Sequence, residues 1–177
     1  MRNKKFTHIL LTVVLLFTLL SGCGKQTGNE VVAPFSDATW NYTVDDVKEM
    51  AGDDYTTTDS VYGGDCYILP GTYMDYDGSV KYMFDDDDAL VCIAFACTNS
   101  DPDKISELYE KINKDVTDTY GEGTHTAKHS SNSGDKWIRD EGNILLLVLS
   151  TDDASALQYS YLHPSVSRDA DGNLSTE

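Results

Sequence analysis

The chain has 177 residues, with 30 acidic against 13 basic side chains and a net charge of −17. A surface that negative repels phosphate backbones and anionic head groups, so the composition excludes nucleic-acid binding. It favours solubility, basic protein partners or cations.

Met1-Arg2-Asn3-Lys4-Lys5 is basic and free of acid, and the stretch from Ile9 to Leu20 is apolar apart from two threonines. A basic head, a short apolar middle and small residues after it form a secretory-signal pattern, and the run is short for a spanning helix. The residues that follow, Leu20-Ser21-Gly22-Cys23, resemble the bacterial lipobox, in which an aliphatic and two small residues precede a cysteine. The resemblance implies a diacylglycerol on the Cys23 sulfur, removal of residues 1–22, and residence on the extracytoplasmic face of a cell membrane. Cleavage there leaves 155 residues, enough for one domain or two very small ones. It removes Arg2, Lys4 and Lys5 and no acid, so ten bases face 30 acids and the charge becomes −20.

Residues 24–38 mix Gly, Asn, Thr, Pro and charges without periodicity and are expected to form a flexible tether. Thr43-Val44-Asp45-Asp46 matches a capping box, Val47, Met50 and Ala51 make an apolar stripe, and Gly52 ends a short helix. Residues 53–64 are polar and turn-rich. Cys66 to Leu69 follows as a strand stopped by Pro70-Gly71, with Tyr73 and Tyr76 in a loop beyond it. Val80 to Phe84 and Ala89 to Cys97 then flank Asp85-Asp86-Asp87-Asp88 as a hairpin. Pairing Phe84 with Ala89 sets Tyr82 opposite Val91 and Val80 opposite Ile93 on one face, with Lys81, Met83, Leu90 and Cys92 on the other.

Asp101-Pro102 opens a second helix, with Asp101 as its cap. Ile105, Leu108, Tyr109, Ile112, Val116 and Tyr120 recur at helical spacing before Gly121. Glu107–Lys111 and Glu110–Lys114 stand four apart on its wet side. A polar loop leads to a strand at Lys136 to Arg139 and a turn at Asp140 to Asn143. A second hairpin joins Ile144 to Ser150 with Ser155 to Leu162, so that Ile144, Leu146 and Val148 share a face with Tyr161, Tyr159 and Leu157. Residues 164–177 read as a polar tail.

The fold class is therefore α+β, with a helix-plus-antiparallel-sheet unit (α-β-β-β) occurring twice, over about 39–98 and 99–163, and the helices on one face. Gly64-Asp65-Cys66-Tyr67-Ile68 and Gly134-Asp135-Lys136-Trp137-Ile138 echo each other at matching places in the two halves. This layout resembles the β-lactamase-inhibitor-protein-like fold, and Trp40 to Gly52 resembles the start of the SmpA/OmlA small-lipoprotein family. Both resemblances imply protein binding or envelope scaffolding.

Chemistry-bearing patterns are sparse. Asp85–Asp88 offers oxygens for calcium, but four adjacent acids at a turn cannot all face inward. Asp169-Ala170-Asp171-Gly172-Asn173 places its glycine too early for a calcium loop and has no later glutamate. His125 and His129 have the spacing of zinc ligands on a helix, with His163 as a third candidate, yet they sit in a polar loop. Cys23 being committed to lipid, Cys66, Cys92 and Cys97 leave either one disulfide and a free thiol or none. Cys92 and Cys97 differ by an odd number and so face opposite sides of one strand. No Cys-x-x-Cys pair, Gly-x-Ser-x-Gly elbow or phosphate-cradling glycine loop occurs.

The expected function is that of a membrane-anchored, non-catalytic protein-binding lipoprotein, with no metal, cofactor or catalytic residue. Its expected partners are the membrane, through the lipid on Cys23, and another envelope or extracellular protein. A cation- or ligand-binding accessory to a transporter, and an enzyme, are the alternatives.

Overall fold

The structure, a computed structural model, describes residues 30–129 and 132–167. Cys23 and the lipobox, the first part of the expected tether, and Asp169–Asn173 lie outside the described residues. The elements run α1 (Val44–Ala51), β1 (Thr56–Asp59), β2 (Gly63–Tyr73), β3 (Tyr76–Asp85), β4 (Leu90–Asn99), α2 (Pro102–Tyr120), β5 (Thr124–His129), β6 (Asn132–Trp137), β7 (Ile144–Ser150) and β8 (Ser155–Leu162). All eight strands join one antiparallel sheet in the order β1-β2-β3-β4-β8-β7-β6-β5. The architecture is mixed α+β and mostly sheet.

Both helices begin as the sequence predicts. The Thr43 side chain accepts from the Asp46 N–H at 3.2 Å, while the Asp46 carboxylate accepts from the Thr43 N–H at 2.8 Å. Asp101 caps α2 through the Asp103 N–H, and Gly121 closes it with a backbone bond to Thr117. The α2 stripe of Ile105, Leu108, Ile112 and Val116 is buried. It joins Val47 of α1 in a single core with Tyr67, Phe84, Ile93, Phe95, Trp137, Ile144, Leu146 and Tyr159 of the sheet. Both helices thus cover one face. Glu107 pairs with Lys111 at 2.9 Å as expected, but Lys114 turns to Asp118 instead of Glu110.

Four strands follow each helix, where the sequence suggested three. The extra ones are β1 and β5, which fall in segments read as turn-rich and as a polar loop. Strand β2 does not stop at Pro70: it continues to Tyr73, and Pro70 pairs with Ser79 of β3. Strand β1 reaches only as far as Ile68, so Pro70 lies on an open edge and its missing N–H costs no ladder bond. The β7–β8 register matches expectation, with Ile144 opposite Tyr161, Leu146 opposite Tyr159 and Val148 opposite Leu157.

In the β3–β4 hairpin the register differs. Tyr82 faces Ile93, Val80 faces Phe95, and Phe84 faces Leu90 after an irregularity between Met83 and Phe84. The bulge inserts Val91 as the extra residue and puts Leu90, not Val91, among the core side chains. Residues 32–38, expected in the tether, pack instead. Ala33 and Ala38 are buried, and the Phe35 ring lies 5.4–6.1 Å from those of Tyr73, Phe95, Tyr159 and Tyr161. At the other end Ser167, expected in the tail, is buried and accepts a hydrogen bond from the Asn143 N–H at 2.9 Å.

Candidate contact surface

Strand alternation sorts the sheet into two chemically different faces. The helix-covered face carries Tyr, Phe, Trp, Ile and Leu. The other holds a small cluster of Cys92, Ala94 and Leu162, against which Tyr62, Met83, Leu145 and Val166 pack. Among the described residues neither helix lies on it. One cross-strand row spans all eight strands: Thr56, Ile68, Lys81, Ala94, Ser160, Leu145, Lys136 and Thr124. The next contains Pro70, Ser79, Ala96, Gln158, Leu147 and Gly134. These two rows contain two lysines and no acid. Ala94, Ser160 and Lys136 of the first row are buried, so the accessible part of the face is the second row around Ala96 and Gln158, with the longer side chains of Leu147 and Leu149 exposed by 39% and 51%. Gly134 is required there, because a Cβ would stand 2.4 Å from the Leu146 carbonyl oxygen and 2.6 Å from the Leu147 side chain.

Acids crowd the two ends instead. Asp59, Asp86, Asp87, Asp88 and Glu141 are exposed at one end, and Asp75, Asp77, Asp152 and Asp153 at the other. The Asp85–Asp88 turn uses its own acid as a backbone clamp, since the Asp85 carboxylate accepts from the N–H groups of Asp87 and Ala89 at 3.1 and 2.9 Å. Among the described residues no group of three His, Cys, Asp or Glu side chains is placed to hold a metal.

The sequence-level candidates do not converge. His125 stands on β5, directly opposite Asp135 of β6, with its Nδ1 3.0 Å from the carboxylate. His129 lies on the same strand, and its side chain is outside the described set. His163 instead packs edge-on against Trp40 at 5.1 Å and bonds Ser165. Burial holds its imidazole below the usual value, opposed by Asp85. Tyr73 and Tyr76 flank a two-residue turn, and Tyr73 belongs to the aromatic core.

Cys92 and Cys97 do face opposite sides, and all three described cysteines are free and buried. Cys66 and Cys92 are two strands apart with Met83 between them, too far to bridge. Burial pushes the Cys92 thiol up to about 12, with the Tyr62 hydroxyl beside it.

One polar cluster escaped the sequence reading. Asp135, 8% exposed, accepts from the Tyr109 hydroxyl and the Asn113 amide of α2 as well as facing His125. Burial, reinforced by this carboxylate, holds the Tyr109 phenol above its ordinary range. The cluster ties α2 to the outer strands.

Open clefts lie elsewhere. One, of about 540 Å³, separates the β2–β3 turn from the start of α2. Two more, of about 480 Å³ each, flank residues 31 and 32. In comparisons with known proteins, no family model, curated protein or solved structure matches this chain.

Proposed function

We propose that this chain is a lipoprotein, anchored by Cys23 to the extracytoplasmic face of a cell membrane, whose domain binds another protein through the open face of its sheet without catalysis. The composition of that face carries the reading. In a chain with 30 acids, its two central rows hold none. Interface centres are depleted in aspartate and glutamate, whereas a merely solvated face of so acidic a chain would share in its acids. With acids displaced to the rim, the fitting partner has an apolar centre ringed by lysine and arginine.

We also read the two halves as copies of one unit. Gly64-Asp65 lies on β2 and Gly134-Asp135 on β6, the second strand after each helix. Tyr67 and Trp137, three residues beyond each glycine, both join the core. This arrangement supports the likeness to the β-lactamase-inhibitor-protein-like fold, which itself implies protein binding.

A photo-crosslinking residue placed at position 147 or 158, and as a control at position 110 on the wet side of α2, tests the site in cells making the full chain. One discrete crosslinked protein is expected from 147 and 158, none from 110, and loss of the product when Ala96→Glu is added. Capture from 110 as strong as from 147, or indifference to Ala96→Glu, would sink the assignment.

A further inference from the structure

Glu30 lines a cleft with Gly142, Leu162, His163 and Pro164. It therefore sits at the end of the sheet where β8 finishes, β7 begins and β3 turns into β4 through Asp85–Asp88. If the lipid-anchor reading holds, seven residue-to-residue steps join Glu30 to Cys23. Even fully extended they reach no more than about 25 Å. A ten-residue strand such as β3 is roughly 33 Å long. The leash is shorter than the sheet.

The domain cannot stand vertically on its far end, with the Met74-Asp75 and Asp152-Asp153 turns at the lipid, because Glu30 would then stand higher than the leash allows. Lying flat on the open face is sterically possible but electrostatically poor. It would press the acids of both ends against anionic head groups, whereas an upright domain brings only one set near them. We propose that the domain stands on end, with Asp85–Asp88 lowest and the open face turned sideways. Its partner is then a protein held at the same membrane, whose exposed part lies within about 60 Å of the lipid.

Lipidated full-length protein in phosphatidylethanolamine–phosphatidylglycerol vesicles tests this orientation. A donor dye is placed by Asp87→Cys at the near end, Asp152→Cys at the far end, or Gln158→Cys on the open face. The three described cysteines are buried and Cys23 carries the lipid in this reading, which leaves the new thiol as the reactive one. Energy transfer to a lipid-borne acceptor is expected to be strongest from position 87 and several-fold weaker from position 152. Equal transfer from 87 and 152, with 158 the strongest, means that the face lies on lipid and overturns the orientation alone. Failure of the protein to float with the vesicles overturns the lipid anchor, and the orientation with it.

Discussion

Asp135 gathers two donors from α2 onto a carboxylate of the sheet. Removing that carboxylate strands a phenol and an amide in a partly buried site, so Asp135→Ala should cost roughly 1–3 kcal/mol in urea unfolding, against about 1 kcal/mol for Tyr109→Phe. Equal, negligible losses from both would show that the cluster holds nothing. Buried acids of another kind set the alkaline limit. Burial pushes Cys92 from 9.0 and Tyr73 from 10.0 each up to about 12. The fold therefore favours the protonated forms, and above pH 9 to 10 the unfolded chain releases protons that the folded chain keeps. Their stabilising effect is full below about pH 9 and is lost as the pH climbs through 12. Thermal melts should be level from pH 7 to 8.5 and then fall. The same burial predicts that Cys92 resists a thiol reagent at pH 8 until the chain is unfolded.

At the scale of elements, legibility followed apolar alternation. Ser155 to Leu162 alternates, with Leu157, Tyr159 and Tyr161 separated by Gln158 and Ser160, and a one-residue slip would have reversed every side chain, so its register against Ile144 to Ser150 could be read. The α2 stripe was equally plain. Ile112 at its middle is fully buried, and Ile112→Ala should cost roughly 2–5 kcal/mol in the same unfolding assay. Strands β1 and β5 were missed because they are the two edges of the sheet, where few apolar groups are needed and threonines suffice.

The β3–β4 register was missed for a different reason. The bulge at Val91 arises from backbone geometry, with Asp88 at a φ of 59° and the Val91 carbonyl taken by the His163 N–H at 2.8 Å. Neither feature has an apolar signature. The contact face was not read from the sequence: the hairpin register assigned Ile144, Leu146 and Val148 to one side, and the exposure of Leu147 and Leu149 on the other came only with the sheet. One turn remains strained. Met74 and Asp75 both have positive φ, 49° and 68°, in a two-residue hairpin that prefers Asn-Gly. Replacing them with Asn-Gly should raise stability by up to about 1 kcal/mol, read as a higher midpoint in denaturant. A lower midpoint would mean that the packing of Met74 outweighs its backbone strain.

For the whole molecule, charge is distributed as unevenly as hydrophobicity. The sheet gives its large apolar side chains and the buried Asp135 to the helices, its exposed acids to the two ends, and an acid-free centre to the face that neither helix covers. Anchoring is a separate matter and depends on one atom. Cys23→Ser should leave uncleaved precursor and no lipid label, and a processed, lipid-labelled variant would refute the lipobox assignment. The central claim concerns the uncovered face, and the affinity of the crosslinked partner for the purified domain tests it most directly. Leu147→Asp is expected to weaken binding at least tenfold, about 1.4 kcal/mol, with Glu110→Lys leaving it unchanged. Unaltered affinity in Leu147→Asp, or an equal loss in Glu110→Lys, would contradict a docking site on the open face.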